Sequence, residues 1–581
     1  MLIPFQQHDA VEQDASVVEP TPDKKIKILF YHAGIHDWFY PAVLQFKTYI
    51  DLYFSDTAKH IEWLIPIQNQ KTDQELIDHI RTSGADLFCT SHYIWNHDFL
   101  TKQLERIAPE IKNQVKIMSG GPSINVNDDP AFFDKYSYVD YAVFAAGEQA
   151  IADILTHLVF KKPLIAFNTS NCAWRHPRTD KVVVAEYKFV KMIETSPFVY
   201  NEQLFTEMTE DFFETNKAMW FPYTLTRGCP YSCTFCDWNS GLGNKVSRRK
   251  NTYQQEIDLF QKLGIKNIYL SDANVGQYQE DVDMIEYFVK KNLDEKAEFH
   301  VGGNFSKLKK ENNLKIFHAM ARGRLVKKTF NISIQDTNQE ILNNIDRPDV
   351  GWEVHAAMAD ELRQTYPHLY VKAQLIYGLP GQTVKSWTHT LGEVTDKSIF
   401  PIIFFNEPLP SSPAVYDPEY QRKFRYEYIQ SNRILANKQY LSLIAKRSSS
   451  FDQSDLVHMN IVSGMYQAVT AIKLVMAENN LHGLDVREVA TQLIQSEKYQ
   501  NLYNNLYNNW TVDNNFFFTI NFNNEPEIVA DLNLGIMLAR DLHFAHYLKN
   551  LLPTEIQTPF AKLVVSKTFK KTIQEFIRDF D

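Results

Sequence analysis

Three thiols fall within eight residues of this chain. The segment reads Arg227-Gly228-Cys229-Pro230-Tyr231-Ser232-Cys233-Thr234-Phe235-Cys236-Asp237-Trp238, a C-x3-C-x2-C spacing. Soft thiolates select zinc, copper(I) or iron-sulfur clusters. A structural zinc normally takes four protein ligands, and the 63 residues from Asp237 to Phe299 contain neither cysteine nor histidine. Four-iron clusters usually take four cysteines, so three leave one iron open to an outside ligand. An open iron is a place for chemistry. The other two cysteines stand alone. Cys89 lies in an apolar run and reads as a small buried hydrophobe, while Cys172 lies in a stretch with no clear period, where it is either a packing residue or a thiol reagent near a site.

The elements that must position these groups follow from the apolar pattern. From Ile26 to about Leu158, short apolar runs alternate with amphipathic stretches, which predicts a parallel sheet with helical crossovers. Ligands of such sheets lie at the carboxyl ends of the strands. Here those ends carry His32-Ala33-Gly34, Thr90-Ser91-His92, Gly120-Gly121-Pro122 and Gly147-Glu148. A second alternating series starts at Trp220 and places the cysteine segment directly after its first strand. Six strand-helix repeats in about 190 residues are too few for a closed eightfold barrel and suit an open six-stranded one. The expected fold class is therefore α/β. It comprises a disordered arm (1–24), a doubly wound flavodoxin-like domain (25–160), a connector (161–217), a partial (β/α)6 barrel (218–415) and a mostly helical C-terminal domain (416–581). The Asn- and Tyr-rich stretch from Asn501 to Asn524 reads as a loop, an irregular hairpin or an insertion.

Composition narrows the setting. With 581 residues, 44% hydrophobic and 22% charged, the chain is long enough for several cores. Its net charge of -10 opposes general attraction to phosphate backbones, so no nucleic-acid partner is expected. Five cysteines cannot form a disulfide framework, and the sequence has no apolar run long enough to span a membrane and no signal peptide. A cytoplasmic location is expected.

The cysteine spacing, with an aromatic residue before the third cysteine and a partial barrel around it, resembles the radical S-adenosylmethionine (SAM) superfamily. The resemblance implies that Cys229, Cys233 and Cys236 hold a [4Fe-4S] cluster whose open iron binds SAM. Cleavage of SAM then yields a 5'-deoxyadenosyl radical, which abstracts hydrogen from a substrate carbon. It also implies that Phe235 lies beside the adenine and that Asp272 and Asn274, in Ser271-Asp272-Ala273-Asn274, hold the amino group of SAM. That segment lacks the common Gly-Gly-Glu form, and a turn with an N-cap is its alternative reading. Ser333 and Gln335 alternate on the fourth strand, so they share a face that would reach ribose and carboxylate. Tyr377, in Ile376-Tyr377-Gly378-Leu379-Pro380-Gly381, matches the family's fifth-strand end or marks a simple strand-to-helix turn. The basic run Lys245 to Lys250 reads as an anion contact or a solvated loop.

A doubly wound domain ahead of such a barrel is similar to the cobalamin-binding class of the superfamily, with Gly120, Gly121, Gly147 and Glu148 at its sheet-end loops. The Asp-x-His-x-x-Gly motif that supplies a lower axial imidazole is absent, since His32 and His36 are wrongly spaced. Either cobalamin binds without a protein imidazole or the domain is a scaffold that has lost it. The phrases TRGCPYSCTFCDW, LSDANVGQYQEDVDMIEYF, LIYGLPGQTVKSW and EPLPSSPAVYDPEY resemble ribosomal-peptide (RiPP) maturases of the proteusin epimerase group. The carboxyl-terminal donor cysteine of that group has no counterpart here. The reading is a radical SAM enzyme acting on a peptide or small-molecule substrate, epimerising or otherwise abstracting hydrogen, with an electron donor such as flavodoxin or ferredoxin. Its alternatives are a cobalamin-dependent C-methyltransferase and a metal-binding structural module.

Overall fold

The fold is taken from a computed structural model. It describes residues 3–4 and 24–497 apart from 34–36, 125, 127–130, 217, 239–243, 410–411 and 436–437; beyond 497 it describes 500–501, 504, 517–522, 525–530, 548–550, 552, 554–566 and 569. His36 and most of the arm and of the Asn-rich stretch therefore lie outside the described residues. By packing, the chain resolves into two compact units. One comprises residues 1–230, 241–272 and 290–302, and the other residues 231–240, 273–289 and 303–581.

The first unit is built on an eight-stranded sheet. Its strands are β1 (Ile3–Pro4), β2 (Ile26–Tyr31), β3 (Ile61–Trp63), β4 (Leu87–Ser91), β5 (Lys116–Gly120), β6 (Tyr141–Val143), β7 (Cys172–Arg175) and β8 (Val182–Val184), in the order β1-β8-β7-β6-β5-β4-β2-β3. From β3 through β6 the pairing is parallel. Alternate side chains feed two separate cores, as a doubly wound sheet requires. Leu29, Tyr31, Phe88 and Ile117 enter one core, and Ile28, Phe30, Leu87, Cys89 and Met118 enter the other. The segment expected as an irregular connector instead extends the sheet through β7 and β8, which pair antiparallel, and then forms the helix Glu202–Thr215. Its strands are only three or four residues long, too short for a period to register.

The second alternating series supplies β9 (Trp220–Tyr223), the two-residue β10 (Thr226–Arg227) and β11 (Ser247–Arg248), β12 (Asn267–Val275), β13 (His300–Phe305), β14 (Thr329–Gln335), β15 (Tyr370–Tyr377) and β16 (Phe400–Phe405). They form two runs, β13-β12-β9 and β14-β15-β16, with helices between successive strands. This is the six-stranded partial-barrel pattern. The C-terminal part departs from a mostly helical reading at one hairpin, and at a second whose first strand lies in the stretch read as a loop, an irregular hairpin or an insertion. A hairpin joins β17 (Glu427–Leu435) to β18 (Lys438–Arg447), and a second joins β19 (Phe517–Phe522) to β20 (Glu525–Ala530). Between them the helix Gln453–Glu478 is buried on most of its circumference. It packs on the helix Val384–Asp396, where Trp387 Nε1 donates to Ser463 Oγ at 2.9 Å. Among the described residues no helix is long and apolar enough to cross a membrane.

Candidate functional site

The cysteine loop leaves the carboxyl end of β9, and its base is closed by the pairing of Thr226 with Arg248 and of Arg227 with Ser247. Gly228 begins it at φ +86, where an added Cβ would strike Lys245 O. Only glycine fits that turn. Asp272 fixes the base: its Oδ1 accepts from Leu225 N at 2.8 Å and Thr226 N at 3.0 Å, and its Oδ2 faces Arg248 Nη1 at 3.8 Å. Asp272 shares its face of β12 with buried Ile268 and Leu270. Its contacts tie it to the backbone ahead of the cysteines, a role the ammonium-binding expectation did not contain. Arg249, in the basic run expected as an anion contact or solvated loop, is fully buried and pairs with Glu256 at 2.8 Å.

Cys229 and Cys233 are 4% and 6% exposed, and Cys236 is more open. Cys236 N donates to Cys233 O at 3.1 Å, and Thr234 N donates to Ile345 O at 3.0 Å. Phe235 packs against Ile341, Leu342, Ile345 and Leu379. Among the described residues no three His, Cys, Asp or Glu side chains converge on a single ion. A four-iron cube asks less of the loop, since each thiolate meets a different iron. Three mostly buried thiols on one short loop suit that group.

Asn274 Oδ1 accepts the Lys307 ammonium at 3.2 Å, and Lys307 also lies 4.8 Å from the Tyr231 ring centre. An ammonium is thus already the partner of this amide. Ser333 Oγ donates to Gln374 Oε1. The expectation that Gln335 shares a face with Ser333 is corrected by a bulge between them. Gln335 takes φ 63, which breaks the period-two alternation, and its Oε1 is buried with no partner among the described residues. Arg347, missed in the sequence, donates to Ser333 O and faces Asp349 at 3.5 Å, while Asp349 Oδ1 meets His355 Nε2 at 2.6 Å. Only the fold brings this buried cation to the end of β14, so no local spacing signals it. Tyr377 serves packing: its hydroxyl accepts from Asn460 Nδ2 at 2.8 Å, and its ring meets Phe405 at 4.9 Å.

At the first sheet, the strand order reverses between β2 and β4, where a doubly wound fold opens its ligand crevice. His32 follows β2 and His92 follows β4; they are 5% and 2% exposed. Gly121, at φ +103, lies so close to His92 that a Cβ would stand 2.5 Å from its carbonyl oxygen. His32 stacks on Tyr40 at 4.3 Å, and Tyr40 OH donates to Ser91 Oγ at 2.9 Å. The Nδ1 atoms of His32, His92 and His97 and the Nε1 of Trp95 are buried with no partner among the described residues. Burial lowers His32 to a pKa of about 4 and holds His92 well below the usual imidazole range, so both rings are neutral at pH 7. Gly120 ends β5, with Val143 O 3.4 Å from where a Cβ would stand. Gly147 precedes the helix Glu148–Phe160. Glu148, 2% exposed, pairs with Arg227 and accepts from Gln45 Nε2 at 2.9 Å. Glu148 Oε1 thus braces the residue two before Cys229, while its Oε2 is buried with no partner among the described residues.

Residues 223–394 match the radical SAM superfamily. The chain therefore carries a radical SAM domain, whose chemistry requires a [4Fe-4S] cluster and SAM. It is 26% identical over 325 residues to the cobalamin-dependent radical SAM methyltransferase TokK of Streptomyces tokunonensis, covering 56% of this chain and 46% of that protein. It is 25% identical over 328 residues to the 2-(S-pantetheinyl)-carbapenam-3-carboxylate methyltransferase of Streptantibioticus cattleyicolor, covering 55% and 47%. The chain thus spans about half the length of these curated relatives. Its fold is similar to that of OxsB, a cobalamin-dependent SAM radical enzyme solved with aqua-cobalamin bound (TM-score 0.55, 12% identity, 96% of this chain and 80% of that one). It is also similar to the methyltransferase TsrM from Kitasatospora setae, solved with cobalamin and a [4Fe-4S] cluster (TM-score 0.52, 11% identity, 70% and 77%).

Proposed function

We infer that the protein is a cobalamin-dependent radical SAM methyltransferase acting on a carbon of a small-molecule or peptide substrate. The observation that carries this reading is the group of buried, unpartnered ring nitrogens at the switch point of the first sheet. A solvent-excluded polar atom without a partner costs about 1–3 kcal/mol, and a ligand that meets these nitrogens removes that cost. The methyltransferase relatives point the same way. When bound, the cluster with SAM would supply the hydrogen-abstracting radical and a corrinoid the methyl group.

The chain's own residues would do the rest. Cys229, Cys233 and Cys236 would hold the cluster, and Asp272 with Arg248 would keep their loop at the end of β9. Asn274 would take the SAM ammonium in place of Lys307, and Ser333, Gln335 and Arg347 would meet polar and anionic parts of SAM. His32 and His92 would line the corrinoid crevice together with the close backbone approach at Gly121. Epimerisation is less well supported: with no carboxyl-terminal cysteine, Cys172, Cys89 or a tyrosine would have to return the hydrogen. Cys89 and Cys172 are both buried in the first sheet, and burial pushes Cys172 up to about 12.

The test is anaerobic reconstitution with iron, sulfide, SAM and reductant, with and without hydroxocobalamin, followed by mass analysis of candidate substrates. A 14 Da gain that depends on corrinoid supports the reading. Incorporation of solvent deuterium at unchanged composition, independent of corrinoid, contradicts it.

A further inference from the structure

A cluster that cleaves SAM must receive one electron per turnover, and the structure marks a surface where that electron could enter. The segment between the second and third cysteines is held from one side. Ala414 N donates to Thr234 O at 2.9 Å, and Thr234 Oγ1 donates to Tyr420 OH at 2.9 Å. Tyr420 belongs to the short helix Pro418–Phe424. Its ring packs on Phe424 at 4.9 Å and lies near parallel to Tyr426 at 6.3 Å, which stacks in turn on Tyr428 at 5.2 Å. An aromatic file therefore leads away from the loop that carries Cys233 and Cys236.

The same helix presents Arg422 and Lys423 to solvent, and Arg425 follows at its carboxyl end, all three exposed. Exposed Glu419 stands one helical turn before Arg422 and Lys423, and the other two acids of this segment have partners of their own. Asp417 caps the amino end through Glu419 N at 2.9 Å, Glu419 lies in the first turn, and Glu427 faces Arg447 at 3.6 Å. Arg422, Lys423 and Arg425 are exposed with no ion pair among the described residues, and they stand on and just after the helix whose Tyr420 is bonded to the cysteine loop. Such a patch attracts an acidic protein and raises its encounter rate by roughly 10-fold to 1,000-fold at low salt.

We propose that Arg422, Lys423 and Arg425 form the docking surface for an acidic one-electron carrier protein, and that Tyr420 bridges this surface to the Cys233–Cys236 loop. The proposal rests on the cluster reading above. In the step it describes, the reduced carrier docked on these residues would give up one electron and a bound cluster would take it up; no atom is transferred. Thr234 and Tyr420 provide a hydrogen-bonded path from the helix to the backbone beside Cys233.

The test uses the reconstituted full chain and follows bleaching of the cluster's visible absorbance by reduced flavodoxin and, separately, by dithionite. In the variant Arg422→Glu, Lys423→Glu, Arg425→Glu, the second-order rate with flavodoxin should fall at least about tenfold at low salt and lose its salt dependence. The dithionite-driven rate should stay within about twofold of the parent. An unchanged flavodoxin rate overturns the proposal, and so does an equal loss with both reductants, which would place the effect on the loop itself. A parent protein that contains no iron and bleaches with neither reductant overturns the cluster reading and the docking surface together.

Discussion

The cysteine loop and the carboxyl end of the first sheet both gather polar groups at strand ends, yet they treat them in opposite ways. At the loop, Asp272, Arg248, Arg249 and Thr234 all have protein partners. At the sheet end, His32, His92, Trp95 and His97 each bury a ring nitrogen with no partner among the described residues. Polar groups tied by protein partners, as the four at the loop are, are held in place before a ligand arrives. A region with buried unpaired groups is incomplete until something meets them. The difference separates a loop whose named polar groups are already paired from a sheet end that buries ring nitrogens with no protein partner among the described residues.

Substitutions should separate the two regions. The largest effect is expected at the loop, where Cys233→Ala should abolish 5'-deoxyadenosine formation and lower bound iron, read by product analysis and metal analysis. Next is the ion pair at the loop's foot. Arg249→Met leaves the Glu256 carboxylate buried without its cation and should cost about 3–5 kcal/mol of stability, read by urea unfolding. At the sheet end the effect should depend on pH. His32 has its pKa lowered from 6.5 to about 4 by burial, so its neutral form is the one the fold accepts. Its stabilising contribution is complete above pH 6.5. It is lost as pH falls from there to about 4, a loss of roughly 3 kcal/mol, because the unfolded chain takes up a proton that the folded chain refuses. His32→Phe should change stability little at pH 7.5 but flatten this acid limb; an acid limb identical to the parent's would break the comparison. The smallest effect is expected from Tyr420→Phe, which removes one hydrogen bond from Thr234 and should cost about 1 kcal/mol.

The cysteine loop was legible in the sequence because its thiols are local: three in eight residues, after an apolar strand, point to soft-metal chemistry before any tertiary contact forms. The two alternating series were legible for the same reason, since sheet and helix periods are properties of neighbouring residues. What was hidden depends on distant residues. Nothing near Glu148 in the chain announces Arg227, and nothing near Ser333 announces Arg347. Gln335 looked like the partner of Ser333 because strict alternation was assumed, and one bulge undoes that. The strand β17 escaped because its pattern, Tyr428-Ile429-Gln430-Ser431-Asn432-Arg433-Ile434, mixes polar and apolar residues without a strict alternation. The orphan imidazoles were visible as residues but not as orphans, since an absent partner is a property of the folded surroundings.

One measurement bears most directly on the central claim that three thiols hold an iron cluster able to cleave SAM. The protein is purified without oxygen, reconstituted, analysed for metal and reduced in the presence of SAM. The account predicts about four irons per chain, a one-electron-reduced cluster signal by electron paramagnetic resonance that changes when SAM is added, and release of 5'-deoxyadenosine. One zinc per chain, no iron and intact SAM would contradict it.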